Sequence, residues 1–243
     1  MKRTEVSFDI HTVPAAVRQH IEGAVMYDSS CSELARTYLA MGAERTFLKI
    51  GAKGALERES AMMRFLNGHK IAPKVIAYET DSANDYLLTE AVPGEDGTEA
   101  VHLENPAKLA AVFGESLRML HTLPAKGCPY PDRTAEMIED IKRKRDSADI
   151  LFESGYQPKD DVIIHGDYCL PNIIMDRYAF KGFIDVGFGG IGDKHYDLYW
   201  GLWTLLYNVK TDRYHDIFLE AYGRQDVDAE GLDYFTKLVQ LSD

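Results

Sequence analysis

The residues with the clearest chemical meaning lie at positions 165–172, which read H-G-D-Y-C-L-P-N. Asn172 follows Asp167 by five positions, and Asp185, in F-I-D-V-G, follows Asn172 by thirteen. Phosphoryl transfer from a nucleoside triphosphate needs a carboxylate at the acceptor hydroxyl and oxygen ligands that hold Mg²⁺ between the phosphates. The spacing predicts this chemistry, with Asp167 at the acceptor and Asn172 and Asp185 at the metal. The alternative, that these polar residues only cap turns, does not explain why two β-like runs present them together.

The composition is that of a globular protein with an acidic surface. The chain has 243 residues, of which 45% are hydrophobic and 27% charged, and its formal net charge is −12. Such a charge argues against nucleic acid as a partner and is compatible with a cationic small-molecule substrate. Many acidic proteins have no such substrate, so charge alone decides little, and the sequence gives no indication of the oligomeric state.

The cysteines and the apolar runs favour a cytoplasmic protein without a membrane segment. Cys31, Cys128 and Cys169 are odd in number and far apart, which suggests reduced thiols and neither a disulfide framework nor a zinc site. The first residues, M-K-R-T-E-V-S-F-D, contain no apolar core of signal-peptide length, and no run is long enough to cross a bilayer.

The pattern along the chain predicts an α+β fold with a small β-rich N-terminal lobe, residues 1–91, and a larger, mostly helical lobe, residues 92–243. One helix is expected in the small lobe, over residues 54–66. Its strands are expected at 25–27, 36–39, 46–50, 75–78 and 86–89.

The large lobe is expected to begin with a helix that Asn105 caps, that Pro106 starts and that ends near Thr122. A charged helix should follow over residues 134–152, and further helices from about residue 196. We expect a nucleotide to bind in the crevice between the two lobes.

A strand lysine in the small lobe is the expected partner of the phosphates. Lys49, in T-F-L-K-I, should share its strand face with Phe47, which would lie against the adenine ring or belong to the core. Glu57 and Glu59 compete to pair with this lysine. Glu59 falls on an apolar stripe, where an unpaired carboxylate would be costly, so we predict a Lys49–Glu59 pair. The stripe consists of Leu56, Met63 and Leu66.

The turn at residues 28–32, D-S-S-C-S, stands where a glycine-rich phosphate loop would be expected, yet it contains no glycine. Small hydroxyl residues can bend tightly and offer N–H and O–H groups to phosphate oxygens. An ordinary hairpin turn explains the same residues equally well.

Together these motifs resemble the aminoglycoside phosphotransferases, most closely the 3′-phosphotransferases, which have a protein-kinase-like fold and phosphorylate a hydroxyl of an antibiotic. The resemblance covers residues from about 25 to 200 and extends more loosely to the end of the chain. It rests on F-L-K-I, L-E-R-E-S-A-M-M-R-F-L, L-L-T-E-A, H-G-D-Y-C-L-P-N and G-F-I-D-V-G-F-G-G-I-G-D-K-H-Y-D-L. It implies ATP as phosphoryl donor, Mg²⁺, a cationic aminoglycoside as acceptor, and antibiotic resistance as the consequence.

The same resemblance implies a role for each motif residue of the transfer step. Asp167 would be the catalytic aspartate, and Asn172 and Asp185 would ligate two Mg²⁺ ions. Lys49 would contact the α- and β-phosphates, and Glu59 would orient it.

The resemblance also implies roles for residues around the nucleotide and the catalytic loop. The backbone of Thr89 and Ala91 would hydrogen-bond to adenine, the ring of Phe47 would stack on it, and Ser32 would touch a phosphate. Asp197, in H-Y-D-L, would support the catalytic loop or cap the helix that follows.

Two features favour a small-molecule acceptor over a peptide. Gly166 stands where protein kinases usually have the arginine that reads a phosphorylated activation loop. Only twelve positions separate Asp185 from Asp197, which leaves no room for an activation segment on which a peptide could lie.

The acceptor half departs from the family pattern. The segment from residue 128 to 165 is shorter than usual. Three of its acidic residues would be acceptor contacts or belong to a solvated helix face: Asp146, Asp149 and Glu153.

Aromatic residues and a different C-terminus are the other departures. Trp200, Trp203 and Tyr207 stand where charged groups are common, although their helical spacing also suits a core. At the C-terminus, Val239 and Gln240 replace an adjacent acidic pair.

Three alternatives remain open. In the first alternative, the protein is still a kinase, but its acceptor is another small hydroxylated antibiotic or metabolite, such as a macrolide, a tuberactinomycin or a choline-like alcohol. A degenerate kinase fold that only binds is disfavoured because the four motif residues Lys49, Asp167, Asn172 and Asp185 are all present. A metal-dependent phosphoesterase would need a third metal-binding partner beside the clusters at 165–167 and 193–197.

Overall fold

The computed structural model describes residues 3–31, 35–144 and 155–242. The chain divides into two compact units: Met1–Pro93 with Lys181–Gly187, and Gly94–Phe180 with Phe188–Asp243. The short segment that carries Asp185 therefore belongs to the first unit. The predicted assignment of nucleotide binding to residues 1–91 and of catalysis and acceptor binding to residues 92–243 stays a prediction.

The first unit is built on a six-stranded antiparallel sheet with strand order β1-β2-β3-β4-β6-β5. Every predicted strand is present and is longer than the sequence pattern indicated, and β1 is an additional edge strand. The strands are β1 Thr4–Val6, β2 Val25–Asp28, β3 Ala35–Met41, β4 Arg45–Ala52, β5 Val75–Thr80 and β6 Asn84–Glu90.

One face of this sheet is covered by a helix that the sequence pattern did not predict. Helix α1, Ala15–Ile21, buries Val17 and Ile21 in a core that also contains Leu48 and Leu88. The expectation of a single helix in this region was wrong, because seven residues with two buried apolar positions give too little periodicity to recognise.

Helix α2, Glu57–Gly68, starts three residues later than predicted. Gly54 has φ +85°, a left-handed conformation that cannot belong to an α-helix. The start is fixed instead by the carboxylate of Asp85, whose Oδ2 accepts from the N–H of Leu56 at 2.9 Å.

The second unit is mostly helical, as predicted. Its helices are α3 Ala100–Leu103, α4 Pro106–His121, α5 Arg133–Lys144, α6 Lys194–Val209, α7 His215–Tyr222 and α8 Ala229–Ser242. Its short strands are β7 Glu95–Asp96, β8 Val162–Ile164, β9 Ile173–Asp176 and β11 Gly190–Gly192, while β10 Ala179–Phe183 runs into the segment that belongs to the first unit. Strand β7 pairs with β9 and β8 with β11, both antiparallel.

Helix α4 confirms the predicted capping chemistry. The side chain of Asn105 accepts from the N–H of Lys108 at 3.1 Å, and Pro106 occupies the first turn. The charged helix α5 begins one residue before its predicted start, and the later part of that predicted helix lies outside the described residues. In the parts of the chain that the structure describes, every helix is too short or too polar to span a lipid bilayer.

We predict that Gly114→Ala destabilises the protein. Helices α4 and α7 pack so closely that a Cβ at Gly114 would collide with the carbonyl oxygen of Phe218. Such overpacking against backbone should lower the free energy of unfolding by about 1–3 kcal/mol in a urea titration. The matched control is Gly68→Ala in α2, where an added Cβ meets nothing within 4 Å. An equal loss in both variants would contradict the packing argument.

Candidate functional site

Three charged side chains of the first unit meet in one cluster. Lys49 Nζ lies 2.7 Å from Glu59 Oε2 and 2.6 Å from Asp185 Oδ1. Lys49 is presented by β4, which pairs with β3 and β6 on its two sides, and Glu59 comes from the first turn of α2. The predicted Lys49–Glu59 pair is confirmed, and Glu57 is exposed.

Burial and charge set the protonation of this cluster. The side chains of Lys49, Glu59 and Asp185 are 21%, 7% and 41% exposed. Burial alone would lower the pKa of Lys49, but the carboxylates of Glu59 and Asp185 together raise that pKa well above its usual value. Burial raises the pKa of Glu59, against the lowering effect of the Lys49 ammonium. Lys49 is thus a cation at neutral pH, and Asp185 presents its carboxylate to solvent.

Asp185 has two properties that suit a metal ligand. Its φ of +59° is left-handed, a conformation that costs a non-glycine residue about 1–3 kcal/mol and is common at functional sites. One carboxylate oxygen contacts Lys49, and the side chain remains the most exposed of the three. A partly exposed carboxylate fits a hard cation such as Mg²⁺.

The residues predicted to contact adenine lie on neighbouring strands. Phe47 is half-buried, pairs in register with Thr89, and is covered by the guanidinium of Arg3 at 5.6 Å from the ring centroid. The N–H of Ala91 donates to the carbonyl oxygen of Arg45 at 3.0 Å, so a contact from Ala91 to adenine would fall to its carbonyl oxygen. The adenine contacts of Phe47, Thr89 and Ala91 stay predictions.

The serine-rich turn is a well-bonded hairpin as far as it is described. Ser30 N–H donates to Asp28 Oδ1 at 2.8 Å, and Thr37 N–H donates to Ser30 Oγ at 3.0 Å. Ser32, the residue predicted to touch a phosphate, lies outside the described residues.

In the second unit, Asp167 and Asn172 are joined directly. Asn172 Nδ2 donates to Asp167 Oδ2 at 2.8 Å and to the carbonyl oxygen of Asp167 at 3.0 Å. Strand β8 leads into this loop, and a 3₁₀ turn, Leu170–Asn172, closes it. Because the amide nitrogen is turned toward Asp167, the amide oxygen of Asn172 points the other way, as an oxygen ligand of the type that Mg²⁺ prefers.

The carboxylate of Asp197 holds the backbone of residues 165–172, the predicted catalytic loop. Its Oδ2 accepts from the N–H of His165 at 2.6 Å and its Oδ1 from the N–H of Gly166 at 2.9 Å. His121 Nε2 lies 3.2 Å from Oδ2. The alternative that Asp197 caps the following helix was wrong, because Asp193 is the cap and accepts from the N–H of His195 at 2.9 Å.

Glycine is required at position 166 on steric grounds. Gly166 has φ +81°, and a Cβ there would collide with the carbonyl oxygen of Phe188. A left-handed residue in such contact cannot be exchanged for arginine without moving the backbone.

The second histidine motif is a structural network. His195 Nδ1 lies 2.7 Å from Asp193 Oδ1, and His195 Nε2 accepts from the N–H of Asp228 at 3.0 Å, so both ring nitrogens are engaged. Burial raises the pKa of Asp193, but hydrogen bonds from His195, Tyr156 and Lys159 lower that pKa below its usual value overall. Within residues 3–31, 35–144 and 155–242, no three His, Cys, Asp or Glu side chains gather in a potential metal site. Because hydrogen bonds with Asp193 and Asp228 engage both ring nitrogens of His195, this histidine has no free nitrogen for a metal, which disfavours the phosphoesterase alternative.

The supporting residues His121 and Tyr156 were missed by sequence reasoning. His121 is 76 positions away from Asp197. Tyr156 Oη donates to Asp193 Oδ2 at 2.7 Å across 37 positions. Neither belongs to a local motif, so only the three-dimensional packing reveals them.

The predicted acceptor contacts are only partly described. Asp146, Asp149 and Glu153 lie outside the described residues. On α6, Trp203 is 42% and Tyr207 59% exposed, so for these two residues the interpretation as core was wrong. At the C-terminus, Val239 is buried.

Comparison with known proteins places these features in context. The model of the phosphotransferase enzyme family matches residues 32–234. A protein of Lactococcus lactis subsp. lactis (strain IL1403), named a probable aminoglycoside 3′-phosphotransferase, is 34% identical, and the match covers 94% of each chain.

Solved structures show the same fold. A crystal structure of an aminoglycoside-3′-phosphotransferase of type VIII matches with a TM-score of 0.77 at 23% identity, covering 93% of this chain and 96% of that one. An aminoglycoside phosphotransferase from Streptomyces rimosus in complex with ADP and streptomycin matches with a TM-score of 0.66 at 22% identity, covering 86% and 90%. The predicted protein-kinase-like α+β fold class is confirmed.

We predict that Asp197→Asn strongly destabilises the second unit. The amide would place an N–H₂ donor against one of the two loop N–H groups and remove the charge that strengthens both hydrogen bonds. The loss of unfolding free energy should be about 3 kcal/mol by urea titration. Asp233→Asn is the control, since its carboxylate is 59% exposed and pairs with Lys237 only at the surface. A change in Asp197→Asn no larger than in this control would refute the supporting role.

Proposed function

Because the chain belongs to the phosphotransferase enzyme family, we propose that it transfers the γ-phosphoryl group of ATP to the 3′-hydroxyl of an aminoglycoside antibiotic. Two arrangements of charged and polar side chains, one in each compact unit, support this proposal and suit phosphoryl transfer. One is the Asp167–Asn172 pair, and the other is the Lys49–Glu59–Asp185 cluster. The names of its relatives support the acceptor, and inactivation of the drug would make the cell resistant.

The first unit binds the nucleotide in this proposal. Lys49 contacts the α- and β-phosphates, and Glu59 holds its ammonium in place. Phe47 stacks on adenine, and the backbone of Thr89 and Ala91 hydrogen-bonds to its edge.

The amide oxygen of Asn172 and the carboxylate of Asp185 would hold Mg²⁺, since both are oxygen donors of the kind that this ion prefers. When bound, the ion neutralises negative charge on the triphosphate. Asp185 accepts from Lys49 through one oxygen, so the same carboxylate ties the phosphate-binding lysine to the metal ligands.

Asp167 acts at the acceptor. It orients the acceptor hydroxyl and takes its proton while the oxygen forms a bond to the γ-phosphorus. The bond from that phosphorus to the β,γ-bridging oxygen breaks, and ADP leaves with the electron pair. Asn172 fixes the Asp167 carboxylate, and Asp197 fixes the loop backbone. The reaction belongs in the cytoplasm, where ATP is available.

We predict that Glu59→Gln lowers kcat/KM for ATP by about 10- to 100-fold. Loss of the buried carboxylate leaves Lys49 with Asp185 alone, so the ammonium moves away from the phosphates toward the metal ligand. The measurement is steady-state kinetics with ATP varied. Glu57→Gln, two positions earlier and exposed, should match the wild type, and equal losses in the two variants would refute the pairing.

We predict that Asp167→Asn lowers kcat by about 10²- to 10⁴-fold while ATP still binds. Asparagine keeps the shape of the side chain but cannot take the hydroxyl proton. The assay uses ATP, Mg²⁺ and kanamycin, with nucleotide binding followed by calorimetry and Asp233→Asn as the control.

The acceptor itself is tested with the wild-type protein. Phosphorylation of kanamycin, with the phosphate located at the 3′ position by NMR, is the expected result. If the protein phosphorylates a macrolide, a tuberactinomycin or choline but no aminoglycoside, the proposed acceptor is refuted. The proposal of ATP-dependent phosphoryl transfer would then still stand.

A further inference from the structure

Exposed apolar side chains are concentrated in one part of the second unit. Among the described residues, the exposed large hydrophobic side chains are Val25, Phe188, Trp203, Leu206 and Tyr207. Three of these five lie on the last two turns of α6. Exposed apolar groups that cluster in this way mark binding surfaces more often than scattered ones do.

Two of these side chains form an ordered aromatic stack. The rings of Trp203 and Tyr207, one helical turn apart, have centroids 5.1 Å apart and planes inclined by only 10°. Half-buried Trp200 packs edge-on against Trp203, with a centroid distance of 5.5 Å and an angle of 79°. The stack is therefore held from the protein side while parts of both rings remain open to solvent.

The stack already interacts with a cation. Lys210 Nζ lies 4.4 Å from the centroid of the Tyr207 ring, within the range of a cation–π interaction. The face of this ring thus accepts an ammonium group supplied by the chain itself. An alkyl ammonium group on a ligand has the same chemistry.

The stack is also tied to the catalytic loop. Thr204, which follows Trp203, is buried, and its Oγ1 accepts from the N–H of Leu170 at 3.2 Å. Leu170 lies between the predicted catalytic Asp167 and Asn172. The helical turn that carries the aromatic rings is therefore bonded directly to the loop that carries the chemistry.

We propose that Trp203 and Tyr207 form an acceptor platform on which an amino-sugar ring of the aminoglycoside stacks. The C–H groups of the sugar lie on the exposed parts of the rings, and an ammonium substituent replaces Lys210 over Tyr207. The proposal rests on the proposed function and assigns the acceptor a binding contact made by aromatic rings. The net charge of −12 favours a cationic occupant, whereas an acidic partner would be repelled.

The test distinguishes binding by an aromatic ring face from binding by any apolar side chain of similar size. Trp203→Leu and Tyr207→Leu keep an apolar side chain and remove the ring, and each should raise KM for kanamycin by about tenfold with kcat changed less than twofold. Trp203→Phe and Tyr207→Phe keep an aromatic ring and should retain most of the affinity for kanamycin. KM for ATP should stay at the wild-type value in all four variants.

Leu206→Ala is the matched control, because Leu206 is 44% exposed on the same helical turn and has no aromatic ring. It should leave KM for kanamycin unchanged. The platform is refuted if the leucine variants keep KM within twofold of the wild type or if Leu206→Ala raises it equally. It is also refuted if the substitutions change only the oligomeric mass in size-exclusion chromatography, since the patch would then bind a second copy of the chain.

Calorimetric titration of kanamycin distinguishes failure of the platform from failure of the proposed function. If the wild-type protein phosphorylates no aminoglycoside, the proposed function fails. Kanamycin binding that Trp203→Leu weakens about tenfold still supports the platform. The platform is overturned if Trp203→Leu leaves kanamycin binding unchanged or if the wild-type protein does not bind kanamycin.

Discussion

The ammonium of Lys49, held between two carboxylates, is the constraint on which the first unit depends. A carboxylate that is 7% exposed, as Glu59 is, is costly to bury unless a cation lies next to it. The second carboxylate, Asp185, comes from residues 181–187, which return to this unit from a distant part of the sequence. Phe183 N–H also donates to the carbonyl oxygen of Ile71 at 2.8 Å. One lysine thus links a strand, a helix and a returning loop.

The second unit uses a buried carboxylate to hold backbone donors. Asp197 is fully buried, and it accepts from two consecutive N–H groups of the loop that carries Asp167. Left-handed Gly166 allows both donors to face the same carboxylate. Each unit therefore holds a predicted site residue with a buried carboxylate, Glu59 for Lys49 and Asp197 for the loop of Asp167. This limits the orientations that Lys49 and Asp167 can adopt.

Local patterns predicted the elements that local chemistry determines. The start of α4 follows from Asn105 and Pro106, and the choice of Glu59 over Glu57 follows from helical spacing. Helix α1 was missed because its stability comes from burial of two residues on the sheet, which a short window cannot reveal. The contact of His121 with Asp197 likewise depends on the packing of α4 against α6, to which no sequence motif corresponds.

Aromatic rings and negative charge would contribute differently to the binding of a cationic acceptor. Attraction by the net charge of −12 acts over about 8–10 Å before salt screens it, and it discriminates little between one polyamine and another. Stacked rings such as Trp203 and Tyr207 act only in contact and require a ligand with a flat apolar face. A site that combines the two would attract many cations but hold amino sugars selectively. The aromatic side chains on α6 are thus compatible with a cationic substrate, because they supply shape selectivity that charge alone does not provide.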